Sequence, residues 1–439
     1  MPASLYDQLP YHTFPRRQTH PERLAAVGML FGMSPAPATR CRVLEIGCGT
    51  GGNLVPLAFS LPESRFLGID LAAKPIGVAR EDVSALELTN IEFRVCDLRE
   101  LNTADGPFDY ILAHGLYSWV LPEVRLALLA ACRALLTSQG IAFISYNAYP
   151  GSYERQMFRE MLLHRGGDLS GARDFLRTLP HPEAAALADS SDDILFHDIL
   201  APCYQPSWFH QFASQAKSAQ LQYLGEADPH EMFDETGRLT GEAGEQELDF
   251  RKLRRFRQSL VCRAELPLKR TAEPEQMDSF LFSKNRHGRR LPGEDPAVEA
   301  VAQALEDTHP LPAAFEELIP YAGSRQGLRE ILLSFVAAGC ADLHTHYFPC
   351  EESVTRRPQA SRLARHQALA SPTVTNLCHG PVQLDEVARQ LLLLLDGTRT
   401  QQTVARQLAA QAGAGSEKEI RRALPASLAW LAQMALLEA

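Results

Sequence analysis

From residue 42 the chain alternates short apolar runs with stretches whose apolar positions recur every three or four residues. The runs are 42–46, 65–70, 91–96, 108–113 and 141–146. The stretches between them, 54–61, 74–86 and 122–136, carry helical spacing. Strands alternating with helices in this way predict an α/β fold with a parallel, doubly wound sheet. Gln139-Gly140 is read as the C-terminal stop of the third helix, with glycine at C′. Before the first strand, Pro21 suits the first turn of a helix that runs through Arg23, Leu24, Val27, Leu30 and Phe31.

The rhythm breaks after residue 150. Helical patterns at 153–164, 172–179 and 192–200, with a polar break at Ser190, read as a helical insertion. A helix through Phe209, Phe212 and Ala216 follows, then a strand at 221–225, a polar connection at 228–247 and a strand at 257–262. That order closes an α/β sheet with an antiparallel last strand. Residues 268–291 are polar and basic (Lys284, Arg286, Arg289, Arg290) and predict a linker. Two similar units follow. The first has helices at 296–305, 313–320 and 325–338 and then Asp342-Leu343-His344. The second has helices at 384–395, 401–411 and 417–434 and then Leu436-Leu437-Glu438. Three helices and a short strand predict winged-helix-like, mostly α domains. The expected organisation is an N-terminal arm and helix (1–40), a Rossmann-like core (41–150), an insertion serving as lid or dimerisation element (151–205), closing elements (206–267), a linker (268–291) and two winged-helix-like units (292–355 and 356–439).

Charge and cysteine usage exclude some roles. The chain has 439 residues and a net charge of −10, and acids outnumber bases over residues 292–439 taken together. Neither the whole molecule nor its winged-helix-like half is expected to bind nucleic acid. The nine cysteines form no CxxC pair, which fits a reducing, cytoplasmic compartment. Residues 1–17 lack the apolar segment of a signal peptide, and the longest apolar run, 391–395, is too short to span a bilayer. No membrane insertion is expected.

The densest chemical signal is Glu45-Ile46-Gly47-Cys48-Gly49-Thr50-Gly51-Gly52-Asn53, a glycine-rich turn between strand and helix. Such a turn brings a nucleotide against backbone N–H groups and a helix N-terminus. Gly47-x-Gly49-x-x-Gly52 fits the dinucleotide fingerprint, while Glu45-x-Gly47-x-Gly49-x-Gly51 fits the first motif of class I S-adenosylmethionine methyltransferases. Asp70 after the second strand suits the ribose hydroxyls, and Asp97 after the third suits an adenine amine. Glu45 suits a turn support or a methionine ammonium, and the three acids together favour S-adenosylmethionine. His114, Tyr117 and Trp119 follow the fourth strand; Tyr146 and Tyr149 end or follow the fifth. His114 is a candidate to orient or deprotonate a nucleophile. Tyr117 and Tyr146 are placed with it as catalytic, and Trp119 and Tyr149 as walls able to stabilise a cationic amine. The N-terminal arm reads either as packing or as a flap over the ligand. Cys340, His344, His346 and Cys350 have even spacing but read as a wing strand, and no metal is expected.

The sequence is similar to the bacterial methyltransferases that carry a methyltransferase regulatory domain. The resemblance rests on Tyr6-Asp7-x-x-Pro10-Tyr11, Gln18-Thr19-His20-Pro21-x-Arg23-Leu24, the glycine turn, Phe66-Leu67-Gly68-Ile69-Asp70-Leu71, Ala113-His114-Gly115-x-Tyr117-Ser118-Trp119-Val120 and Ser145-Tyr146-Asn147-x-Tyr149-Pro150-Gly151. His197-Asp198, Leu221-Gln222-Tyr223-Leu224-x-Glu226-Ala227 and Arg255-Phe256-Arg257-Gln258 extend it. The group includes the rickettsial protein lysine methyltransferases. The resemblance implies transfer of a methyl group from S-adenosylmethionine to a lysine ε-amine of a protein, of the exported or outer-membrane class. It also implies a homodimer formed through the inserted helices. Carried over by position, Glu45, Gly47, Gly49, Asp70, Asp97 and His114 contact the cofactor; Cys48, Gly51, Asn53, Leu71 and Leu98 complete the expected set. Thr50, where the group often has an acid, and Tyr11-His12-Thr13-Phe14-Pro15, a less proline-rich arm, depart from the pattern. A small-molecule N- or O-methyltransferase, a non-catalytic S-adenosylmethionine sensor and, more distantly, a dehydrogenase are the alternatives.

Overall fold

The computed structural model describes residues 11, 13–285, 295–350, 354–411 and 417–438. The motif residues Tyr6, Asp7, Pro10 and His12 and the basic residues Arg286, Arg289 and Arg290 lie outside them. Seven strands form the central sheet: β1 (Arg42–Ile46), β2 (Arg65–Asp70), β3 (Ile91–Val95), β4 (Phe108–Ala113), β5 (Leu136–Asn147), β6 (Leu221–Glu226) and β7 (Phe256–Arg263). Their order is β3-β2-β1-β4-β5-β7-β6. β1 to β5 pair in parallel, and β7 lies antiparallel between β5 and β6. Strand order reverses between β1 and β4, which opens a crevice at the carboxyl ends of the strands. Val43, Leu44, Ile46, Ile111 and Leu112 are buried, as strands covered on both faces require.

Two elements depart from the sequence pattern. The helix Pro122–Leu135 passes directly into β5, so Gly140 is not a helix cap but lies inside the strand. The register between β4 and β5 shifts there, and a Cβ at Gly140 would come within 2.9 Å of Leu136 Cδ2 and 3.1 Å of the Phe108 carbonyl. The polar connection holds a helix, Gly241–Lys252, whose buried positions are Glu245, Leu248 and Asp249. Two of these three are acids, so a hydrophobic pattern does not reveal them. They are buried because Arg257, itself fully enclosed, bonds Glu226 at 2.6 Å, Glu245 at 2.9 Å and Asp249 at 2.8 Å.

The insertion contains helices Tyr153–Arg165, Leu169–Arg177 and Pro182–Ala188, then one turn (Asp192–Ile194) running into a π-helical turn, Leu195–Ile199. It has its own small core around Phe158, Leu162, Leu176, Leu187 and Ile199. Residues 281–284, placed by sequence in the linker, are β8 (Leu281–Lys284). This strand lies between β9 (Ala313–Ala314) and β10 (Ala341–His344) and completes the first C-terminal unit. The second unit adds to its three expected helices a short helix, Arg362–Ala368, and a hairpin of β11 (Thr373–Thr375) and β12 (Pro381–Gln383). Among the described residues, no helix is long and apolar enough to cross a membrane.

The helix Pro21–Leu30 joins these parts. His20 caps it by accepting from the Glu22 N–H, and Pro21 occupies the first turn. It is buried on nearly every side; Gly28 lets it sit against Ile141 of β5. Glu22 bonds His344 Nδ1 at 3.1 Å and the Thr345 N–H at 3.1 Å. His344 gives its other nitrogen to Ser283, so its role is structural. Arg23 bonds Asp228 and Asp342, each at 3.0 Å. Removing one partner of such a buried pair strands a charge. Arg23→Met is therefore expected to cost about 3–5 kcal/mol in chemical unfolding, whereas breaking an exposed pair such as Arg251–Glu247 should leave stability nearly unchanged.

Candidate active site

β1 ends in a turn in which Gly47, Gly49 and Gly51 all take positive φ. Only glycine adopts this conformation without strain. The Gly47 and Cys48 N–H groups bond the Ile69 carbonyl of β2 at 2.8 and 3.1 Å, which ties the turn to the neighbouring strand end. Asp70 there accepts from the Gly49 N–H at 2.9 Å and from the Ala72 N–H at 2.8 Å. Its carboxylate therefore sits against the turn, at the mouth of the crevice. Above the turn lies a cavity of about 830 Å³.

One half of the cavity is lined by Glu45, Gly47, Cys48, Gly49, Asn53, Asp70, Leu71, Asp97 and Leu98. Glu45 is buried, with Oε1 accepting from Asn53 Nδ2 at 2.8 Å. Its Oε2 is also buried and has no hydrogen-bond partner among the described residues. Burial pushes its carboxyl up to about 8, the nearby Asp70 adds to this, and the Asn53 bond opposes it. A buried carboxylate oxygen without a donor calls for a cationic ligand group. Asp97 is held below the ordinary carboxylate range by the Arg99 guanidinium, which bonds both of its oxygens. Gly51, expected to contact the cofactor, does not line the cavity. Its absent Cβ instead leaves room for Phe93 and Ala79, at 2.8 and 3.1 Å from where it would stand.

The other half is lined by Tyr11, His114, Trp119, Asn147, Arg155, Asp198, Cys203, Arg255 and Phe256. Burial holds His114 down to about 3, so the ring is neutral across the physiological range. Its Nδ1 lies 3.2 Å from Ser145 Oγ, which also accepts from the Gly115 N–H at 2.9 Å. The Ser145 hydroxyl thus links the ring to the backbone at Gly115 and fixes its orientation. Held neutral and oriented, His114 is a poor base.

The catalytic placement of Tyr117 and Tyr146 is corrected. Both are fully buried, and neither lines the cavity. Tyr146 stacks on Phe212 at 4.6 Å, and Tyr117 meets the same ring edge-on while its hydroxyl donates to Gln215. Along β5, successive side chains face opposite sides of the sheet. Ser145 and Asn147 therefore serve the site, and Tyr146 serves the core behind it. Tyr149 likewise packs on Tyr153 and Trp208 outside the cavity lining.

Asp198, quoted in the sequence only as part of a pattern, was missed as a site residue. The π-helical turn, pinned by Arg159 bonding the Ile199 and Ala201 carbonyls, carries it into the cavity. Burial pushes its carboxyl up to about 6, against the pull of Arg155 and a hydrogen bond from Tyr11. The arm itself forms the roof. Tyr11, Thr13, Phe14 and Arg16 line the cavity, and Thr13 accepts from the Gly52 N–H at 2.9 Å. A Cβ at Gly52 would stand 2.1 Å from the Thr13 carbonyl oxygen, so this glycine is required by the arm. The two departures from the family pattern meet each other: Thr13 and Thr50 hydroxyls lie 2.7 Å apart.

The β7-inserted sheet order differs from the dinucleotide-binding order and agrees with what comparison with known proteins finds. A methyltransferase-domain family matches residues 43–140, a predicted methyltransferase regulatory domain matches 191–263, and the PKMT C-terminal winged helix domain matches 356–436. The uncharacterised protein RP789 of Rickettsia prowazekii is 27% identical over 91% of this chain and 84% of its own length. RP028 of the same organism is 32% identical over 50% of this chain and 96% of its own length. The structure of PKMT2 from Rickettsia typhi superposes with a TM-score of 0.86 at 25% identity, covering 98% of this chain and 100% of that one. The same protein has been solved in complex with AdoHcy. With the sheet, the glycine turn, the two flanking carboxylates and all three modules in place, the chain belongs to the class I S-adenosylmethionine-dependent methyltransferases that carry a regulatory domain and a PKMT-type winged helix.

Proposed function

We propose that the methyl acceptor is the ε-amine of a lysine in a protein. The carrying observation is the acceptor half of the cavity. Asp198 is the one carboxylate there among the described lining residues; Tyr11 hydrogen-bonds to it, and the rings of Trp119 and Phe256 line the same cavity. A long aliphatic chain ending in an ammonium fits that combination. The rim leaves Phe256 40% and Leu121 53% exposed, an apolar surface suited to a polypeptide more than to an enclosed small molecule.

S-adenosylmethionine, when bound, supplies a methyl group already activated by its sulfonium. The residues present fit it: Asp70 for the ribose, Asp97 for the adenine and the unbonded Glu45 oxygen for the ammonium. The protein then has to hold the amine in line, exclude water and leave the nitrogen lone pair available. Asp198 pairs with the incoming lysine ammonium and takes its proton. The neutral amine forms the N–CH3 bond as the C–S bond breaks, and the proton leaves through the cavity mouth. His114, held neutral, orients rather than deprotonates.

Methyl-labelled S-adenosylmethionine incubated with the enzyme and bacterial lysate should place label in protein-bound methyl-lysine. Label confined to small molecules would sink the lysine reading. In the same assay Asp198→Asn should lower turnover by roughly 10²- to 10⁴-fold, the range for removing a proton acceptor. Its AdoHcy affinity should stay near that of the wild type.

Glu45, at about 8, is largely protonated at pH 7 before ligand binds. Meeting an ammonium ionises it, so AdoHcy binding at pH 7 should release close to one proton. The release should shrink as pH rises above 8 and vanish in Glu45→Gln. Calorimetry in buffers of different ionisation enthalpy reads it directly.

Tyr153, Met157 and Met161 are exposed at four-residue spacing along the first insertion helix. This stripe supports the homodimer implied by the family resemblance. Met157→Asp should move the sedimentation mass from dimer to monomer; an unchanged mass would count against this face.

A further inference from the structure

We propose that His379, at the tip of the β11–β12 hairpin, is a positioning residue for the amino-acid end of the cofactor site, so that the C-terminal winged helix completes that site. His379 Nε2 lies 2.9 Å from Asn53 Oδ1. Asn53 Oδ1 also accepts from the Arg16 N–H at 2.9 Å. Donors converging on one amide atom make that atom the oxygen, which turns the Asn53 NH2 toward Glu45, bonded at 2.8 Å. Glu45 Oε1 is thus held, and Oε2 is left unbonded for a cation.

The hairpin is built to keep His379 in place. His379 adopts φ +55°, an uncommon conformation for a side chain of this size. Asn376 supports it: its Oδ1 accepts from the Cys378 N–H at 3.1 Å and the Gly380 N–H at 2.7 Å, and its carbonyl accepts from the His379 N–H at 3.0 Å. The ring is buried against His20, with centroids 5.7 Å apart. Donating through Nε2 leaves Nδ1 buried without a hydrogen-bond partner, a cost that plain interdomain packing would not require. Strain and an unmet acceptor at one residue are typical of a functional constraint.

The proposal rests on Glu45 holding the cofactor's ammonium and does not depend on the acceptor. Its test is binding by calorimetry with the full chain. The two ligands are AdoHcy and 5′-methylthioadenosine, which keeps the nucleoside and sulfur but lacks the amino and carboxyl groups. His379→Ala should weaken AdoHcy roughly tenfold, the loss of about one hydrogen bond, and leave methylthioadenosine affinity unchanged. Unchanged methylthioadenosine binding also reports that the variant is folded. His379→Gln, which keeps an N–H donor, should recover part of the loss. In Glu45→Gln, adding His379→Ala should cost nothing more, because both act on one group. Equal weakening of both ligands, or an identical His379 effect with and without Glu45, would overturn the proposal and leave His379 as a domain contact. No effect of Glu45→Gln alone on AdoHcy would instead remove the premise.

Discussion

Arg23, itself buried, donates to two carboxylates from distant parts of the sequence, the half-buried Asp228 and the buried Asp342. Asp228 follows β6 of the methyltransferase sheet, and Asp342 lies on β10 of the first C-terminal unit. Withdrawing Arg23 would leave the buried Asp342 with only Arg17 to offset its charge and would cut the direct link between the two carboxylates. The helix Pro21–Leu30 is therefore fixed between sheet and winged helix, with Gly28 pressed on β5. The arm that precedes this helix inherits its position. Arg16 bonds Asn53 through its backbone, and Thr13 bonds the glycine turn. The roof of the cavity is thus a consequence of an ion pair remote from the cavity.

The turn beneath has two demands on it. Backbone N–H groups must reach Asp70 and the ligand, and the arm must pass over the top. Gly47 and Gly49 answer the first through positive φ, and Gly52 answers the second by offering no Cβ to the Thr13 carbonyl. The third glycine of an apparent dinucleotide fingerprint is therefore explained by the arm. The sequence left the arm open between packing and flap; it does both, because what it packs on is the ligand turn itself.

The cofactor half was legible because its chemistry lies at strand ends that hydrophobic patterning locates well. Glu45 and Asp70 lie at the ends of buried strands and Asp97 follows the edge strand β3, and their positions follow once the runs are recognised. The acceptor half was not legible in the same way. Tyr146 and Asn147 are adjacent, yet only Asn147 faces the cavity, and which face a strand-end residue takes depends on register and on Phe212 filling the other side. Asp198 sits on a π-helical turn whose position depends on Arg159 reaching two carbonyls, and no local spacing announces that. The helix Gly241–Lys252 stayed hidden because its buried face answers Arg257 with acids. β8 and the β11–β12 hairpin stayed hidden because four- and three-residue strands carry too little periodicity to separate from loop.

This difference in legibility follows from how the site is assembled. The cofactor half draws on one βαβ unit and the strand beside it, residues 45–98, so a single supersecondary element specifies most of it. The acceptor half gathers side chains from the arm, the end of β4, the end of β5, the insertion and the start of β7. Each is placed by a different long-range contact. A change in the insertion alone, such as a shift of the π-helical turn, would move Asp198 and the acceptor walls without disturbing Glu45, Asp70 or Asp97. The cofactor side of the cavity and the rest of its lining are therefore held by separate sets of contacts, the first by the glycine turn and strand ends and the second by the packing of the inserted helices against the sheet.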